Sequence, residues 1–145
     1  MKVLVIGSGG REHALCRAFQ QSERVEKIFC AGGNAGIEEI AESVSIRLED
    51  IEALANFAEE NRVDLTFVGG ETALALGVVD EFERRDLKII GASAAAARLE
   101  ASKAFAKDFM RRHNSPTAAY AVADSPQEAL EILDSGRVGY PRAFG

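Results

Sequence analysis

The sequence predicts an α/β protein, a mostly parallel β-sheet with helices on both faces. Three observations predict it. Short apolar runs alternate with helix-patterned stretches between residues 3 and 90. The connections are short, so consecutive strands return in the same direction through crossover helices. The first, second, fourth and fifth runs end in glycine or a glycine loop, which places bare backbone at the carboxyl edge of the sheet, where ligands of such folds bind.

The elements follow in order. Val3–Ile6 is an apolar run suited to a buried parallel strand. Gly7-Ser8-Gly9-Gly10 turns the chain, and Arg11–Gln21 reads as a helix with Ala14, Leu15, Ala18 and Phe19 on its inner face. Val25–Cys30 is a second strand, Ala31–Gly36 a glycine-rich loop and Val44–Ile46 a third strand. Asp50 caps a helix running to about Asn61, with Ile51, Leu54, Ala55 and Ala58 inward. Leu65–Val68 is a fourth strand that runs into Gly69-Gly70-Glu71. One helix follows, carrying Leu74, Leu76, Val78, Val79 and Phe82, and Lys88–Ile90 is a fifth strand.

After Gly91 the rhythm changes. Ala94–Leu99 is helical, and Ser102 caps a helix over Lys103–His113 that buries Phe105, Phe109 and Met110. Asn114-Ser115-Pro116 stops it. Ala118–Val122 reads as a strand, Pro126–Leu133 as a helix, and Arg137–Gly145 has no periodicity. The chain therefore reads as a domain over residues 1–100 followed by the front part of something larger over 101–145.

Composition narrows the function classes. The 145 residues are 47% hydrophobic and 28% charged, enough apolar material for a core. A net charge of −6 argues against non-specific nucleic-acid binding, which needs a basic surface. The apolar run after Lys2 is too short for a signal peptide, and no run approaches a membrane span, so no membrane partner is expected. Cys16 and Cys30 are too few for a disulfide framework and read as buried thiols of a cytoplasmic protein. His13 and His113 have no partners at ligand spacing, and no metal site is expected of them. Oligomeric state is left open by the sequence.

The first loop carries the chemistry. A strand, a glycine loop and a helix start aim bare N–H groups and a positive helix end at one place, which makes an anion site. Arg11 in the first helical turn opposes the macrodipole, so its charge calls for an anionic ligand such as a phosphate. A dinucleotide fingerprint is incomplete. Gly7 and Gly9 fit G-x-G-x-x-G, but Glu12 stands at the third glycine, and the second strand ends in Cys30-Ala31-Gly32 with no carboxylate for ribose hydroxyls. Nicotinamide-dinucleotide binding is the alternative of a different class. A P-loop motif is absent.

The motifs together resemble the N-terminal part of the glycinamide ribonucleotide synthetase (phosphoribosylamine–glycine ligase) family, of the ATP-grasp superfamily. Gly7-Ser-Gly-Gly-Arg-Glu-His-Ala-Leu15 resembles the family's opening signature. Gly33-Asn34-Ala35-Gly36 and Val68-Gly-Gly-Glu71 resemble its next two loops. Leu99-Glu-Ala-Ser-Lys-Ala-Phe-Ala-Lys107, followed by Pro116-Thr117-Ala118, resembles the passage into the ATP-grasp portion. The likeness runs from residue 1 to about residue 135.

The resemblance implies a Rossmann-like (pre-ATP-grasp) domain followed by the start of an ATP-grasp domain. It implies a purine-biosynthesis ligase that joins phosphoribosylamine and glycine, cleaving ATP to ADP and phosphate through a glycyl phosphate, with Mg2+ or Mn2+. Gly9, Gly10, Arg11, Glu12, Asn34 and Glu71 are the expected substrate-binding residues, and Lys103 the expected nucleotide-phosphate contact. Gly32, Gly70 and Ala92 stand where the family pattern has proline. After Tyr140-Pro141 the family's second nucleotide lysine, glycine-rich loop and metal carboxylates are missing, so the 145-residue chain is expected not to catalyse alone. A stand-alone binding or assembly module derived from the ligase is the remaining alternative.

Overall fold

A computed structural model describes residues 1–138. Its packing divides the chain into two units, Met1–Ala101 and a second beginning at Ser102.

The first unit is a five-stranded sheet in the order β3-β2-β1-β4-β5, with every pairing parallel. The strands are β1 (Lys2–Gly7), β2 (Lys27–Gly32), β3 (Glu42–Val44), β4 (Leu65–Val68) and β5 (Ile89–Ile90). The helices of this unit are α1 (Gly10–Gln20), α2 (Ala35–Glu38), α3 (Ile51–Glu60), α4 (Glu71–Ala75), α5 (Val78–Arg84) and α6 (Ala94–Ala101). Central β1 alternates its side chains between two cores. Val3 and Val5 join Cys16, Ile28, Cys30 and Ile37 on the face covered by α1 and α2. Leu4 and Ile6 join Phe29, Val68, Leu54, Ala55, Ala58 and Phe82 on the face covered by α3 and α5. Both faces are thus buried, as a parallel sheet requires.

Several boundaries differ from the sequence reading. The third strand is Glu42–Val44, not Val44–Ile46, because Phe29, Cys30 and Ala31 of β2 pair with Glu42, Ser43 and Val44. An edge strand pairing through polar residues leaves little hydrophobic signal. The loop after β2 contains the short α2, capped by Asn34, whose Oδ1 accepts from the amides of Gly36 and Ile37. The helix expected after Glu71 is two helices, broken at Gly77, whose φ of 88° is left-handed. On α1, Ala14 and Ala18 are exposed, and Glu12 and Cys16 are the buried positions. Leu76, expected as an apolar helix position, is exposed as well.

In the second unit, α7 (Lys103–Arg112) begins behind Ser102, whose Oγ accepts from the Phe105 amide, and α8 (Pro126–Asp134) begins behind Ser125. Phe105, Phe109 and Met110 are half-buried rather than buried. Ala118–Val122 forms no strand, and no strand among the described residues pairs with it. Instead Lys107 Nζ donates to Thr117 Oγ1 at 2.6 Å and to the Ala118 carbonyl at 3.4 Å. Of the tail read from Arg137 onward, residues 139–145, including Tyr140 and Pro141, lie outside the described residues.

Candidate functional site

In register, Ile6 of β1 lies beside Val68 of β4, so the two strands end within one residue of each other. The loop leaving β1 and the turn leaving β4 therefore rise together at the carboxyl edge of the sheet. Between them lies a cavity of about 410 Å³ lined by Ile6–Glu12, Leu48 and Gly69–Ala73. This volume suits a small ligand.

Arg11 and Glu71 both line this cavity, as do Gly9, Gly10 and Glu12. Arg11 and Glu71 are exposed, and neither has an ion-pair or side-chain partner among the described residues. They sit in the first turns of α1 and α4, whose N-caps are Gly9 and Gly70. A glycine cap supplies no acceptor for first-turn amides, so α1 presents polar N–H groups and a positive helix end to the cavity. The chemistry on offer is a guanidinium and backbone donors on one wall and a carboxylate on the other. Such a pair matches an anionic group joined to a hydroxyl- or amine-bearing body.

Glu12 is placed differently from its neighbours. It is only 4% exposed, and its Oε2 accepts from the Gly9 amide at 2.5 Å. One carboxylate oxygen is thus engaged within the protein. Asn34 does not line the cavity; besides capping α2, its Nδ2 donates to the Ser8 carbonyl at 2.8 Å. It holds the β1–α1 loop from behind.

Beneath the loop, Cys16 and Cys30 are free, buried and in contact. The hydrogen bond to Cys30, reinforced by burial, pushes the Cys16 thiol far above its ordinary range, so it stays protonated. Cys30 Sγ in turn lies 3.5 Å from the Gly7 carbonyl. The hydrogen bond with Cys16 draws the Cys30 thiol below its ordinary range, against the opposing effect of burial, and both sulfurs are wholly enclosed in the core.

Lys103 belongs to the second unit. It is the exposed first residue of α7, next to the Ser102 cap. The 470 Å³ cavity of that unit is lined by residues including Asp108, Arg111, Tyr120 and Glu128, and Lys103 is not among its walls. Among the described residues no three His, Cys, Asp or Glu side chains gather in a way that suits a metal ion. No helix of the described residues is long and apolar enough to cross a membrane.

Leu48 is a wall residue that sequence reading missed, as are Thr72 and Ala73 at the start of α4. Leu48 arrives from the β3–α3 connection, which carries no motif, and only the folded sheet brings it over the first loop.

Comparison with known proteins bears on the same residues. A family model described as "Phosphoribosylglycinamide synthetase, N domain" matches residues 1–100. The chain is 54% identical over 133 residues to a phosphoribosylamine–glycine ligase of Caldanaerobacter subterraneus, covering 92% of this chain and 32% of that protein. It thus spans about a third of the length of the curated relatives it matches. The crystal structure of phosphoribosylamine–glycine ligase from Thermotoga maritima superposes with a TM-score of 0.65 at 26% identity, covering 93% of this chain and 30% of that one. The biotin carboxylase domain of Hydrogenobacter thermophilus 2-oxoglutarate carboxylase, solved with MgADP, ADP and bicarbonate, superposes with a TM-score of 0.69 at 20% identity, covering 97% and 33%. That likeness extends to the fold alone. The motif-bearing loops, the parallel sheet that aligns them and the match over residues 1–100 lead to one conclusion: the chain belongs to the phosphoribosylglycinamide synthetase family, with residues 1–100 matching its N domain.

Proposed function

We propose that this chain forms the sugar-phosphate side of a ligase that joins phosphoribosylamine to glycine at the expense of ATP, in purine biosynthesis. The observation that carries the reading is the shared cavity of Arg11 and Glu71, two residues far apart in sequence that line one concave site. The names of the curated relatives supply the reaction.

In this reading the 5-phosphate lies against the Arg11 guanidinium and the first-turn amides of α1. Charge-assisted hydrogen bonds are strong there, and the helix end favours an anion. Gly9 and Gly10 let the ligand approach the backbone closely. Glu71 accepts from ribose hydroxyls or the amine. Asn34 acts indirectly, by fixing the Ser8 carbonyl. Two strands and two helix starts hold these groups, so the sugar phosphate is oriented before the second substrate meets it.

Lys103 is the residue of this chain suited to nucleotide phosphates, because it is an exposed cation at the N-terminus of a ten-residue helix. ATP, when bound, supplies the phosphoryl group that activates the glycine carboxylate. The Mg2+ or Mn2+ that accompanies ATP is assigned no ligands among the described residues. A cytoplasmic setting suits the two buried free thiols.

Calorimetric titration of ribose 5-phosphate tests the site directly. The wild-type chain binds it, and Arg11→Ala weakens binding by roughly ten- to a hundredfold, the value of a hydrogen bond to a charged group. Equal affinity in the two proteins, or none in wild type, overturns the reading.

A further inference from the structure

The first loop contains one buried ionisable side chain that the ligand chemistry does not need. Glu12 sits in the first turn of α1, yet it points inward and is almost wholly buried. Around it the backbone is stripped of side chains. A Cβ on Gly7 would stand 2.7 Å from Glu12 Cγ and 2.8 Å from its carboxyl carbon. A Cβ on Gly9 would stand 2.9 Å from Oε2, and a Cβ on Gly69 would overlap Oε1 outright. By contrast, Gly10 and Gly70, the other glycines of the two loops, have open space at that position.

Three glycines from two separate strand ends thus accommodate one side chain. Gly7 closes β1 and Gly9 lies in the loop after it, and Gly69 belongs to the turn after β4. The side chain bridges them: Oε2 accepts from the Gly9 amide, and Oε1 lies against Gly69. Burying a carboxylate is costly unless it is hydrogen-bonded, so this seat is justified by what it holds in place.

We propose that Glu12 is a positioning residue: seated against Gly7, Gly9 and Gly69, it fixes the first loop against the β4–α4 turn so that Arg11 and Glu71 face one ligand. Its functional meaning rests on the sugar-phosphate reading of the cavity. It also explains a sequence oddity. Where a dinucleotide site has a third glycine so that helix and strand pack closely, this chain has a glutamate, and the closeness is supplied by the glycines opposite it.

A double-substitution cycle tests the proposal. Wild type, Glu12→Ala, Gly69→Ala and the double variant are compared by thermal melting and by ribose 5-phosphate titration, with Glu12→Gln as the conservative control. Each single substitution weakens binding. In the double variant the added methyl occupies space that Glu12 has vacated, so the loss is smaller than the product of the single losses by about fivefold or more, a coupling typical of touching residues. Glu12→Gln retains the volume and an acceptor for Gly9, so its affinity stays within about threefold of wild type. If Gly69→Ala does not fold, recovery of folding in the double variant reads the same coupling. Losses that simply multiply, in both melting temperature and affinity, overturn the proposal. So does a Glu12→Gln protein as impaired as Glu12→Ala, which would mark the charge itself as a ligand contact. Coupled melting temperatures in a chain that binds no ribose 5-phosphate uphold the strut between the loops and overturn the sugar-phosphate reading alone.

Discussion

The helices of this chain begin in two ways. α2, α3, α7 and α8 start behind Asn34, Asp50, Ser102 and Ser125, each with a side-chain oxygen accepting from first-turn amides. α1 and α4 start behind Gly9 and Gly70, with no side-chain cap, and both open on the 410 Å³ cavity. A further uncapped start, α5 at Gly77, is a break within a helical stretch. Where a helix only has to be stable, the sequence supplies the missing acceptor. At the cavity it omits the acceptor and adds an unpaired cation. The contrast teaches that a locally unfavourable helix start is informative when it is placed at a concavity, because a ligand such as the proposed phosphate would complete it.

The comparison breaks first, and most visibly, at Arg11. If α1 is open for a ligand, Arg11→Ala costs ribose 5-phosphate binding about ten- to a hundredfold. It leaves stability within about 0.5 kcal/mol, because the residue is exposed and touches no packed feature. A large loss of melting temperature would move Arg11 into the structural group. Next in size is Asn34→Ala. It removes the cap of α2 and the bond to Ser8, so urea unfolding should show a loss of about 1–2 kcal/mol. An unchanged midpoint would place Asn34 among ligand contacts instead.

Smaller effects sharpen the contrast. A hydroxyl at position 70 meets open space and competes for the amides that α4 presents. Gly70→Ser should gain a few tenths of a kcal/mol in stability and weaken ribose 5-phosphate binding. Stability gained with affinity unchanged would remove α4 from the site. The smallest effect concerns charge away from the cavity. Arg84 and Arg85 are paired with Glu81, whose carboxyl their guanidinium hydrogen bonds hold at about 2, below its ordinary 4.5. A depressed pKa stabilises the folded state above pH 4.5, and the contribution fades as pH falls toward about 2. Solvent screening keeps it small at this half-buried surface position. Glu81→Gln should flatten that acid limb in melting temperature without touching ligand binding. An unchanged acid limb would show the network to be idle.

The fold was legible because it rests on composition over stretches. Val3–Ile6 and Leu65–Val68 are apolar in a way few other structures accept, and Asp50 and Ser102 cap as their positions predict. Illegible were features decided by partners. β3 pairs through Glu42 and Ser43, so hydropathy points two residues too late. The break at Gly77 depends on a left-handed backbone that glycine permits without requiring. In the site, Arg11 and Glu71 stood out because a charge against a helix dipole and a strand-end turn are local facts. The inward seat of Glu12 is not local. It needs Gly69, contributed by a strand whose place beside β1 no local pattern states.

The central position of β1 has a consequence for the chain as it is made. β1 leaves the ribosome before either of its neighbours. β2 offers its edge only once residues 27–32 have emerged, and β4 only after residue 68. Until then the nascent chain carries Val-Leu-Val-Ile with both edges unpaired and both faces uncovered, a segment prone to associate with other chains. Because Val3 pairs with Leu65, closing this sheet demands long-range contacts, which slow folding. The loop that holds the ligand groups emerges immediately behind that strand and acquires its second wall last. Binding of the proposed sugar phosphate would therefore report that β4 and the start of α4 have been made and paired, and a chain arrested before β4 has Arg11 but no second wall.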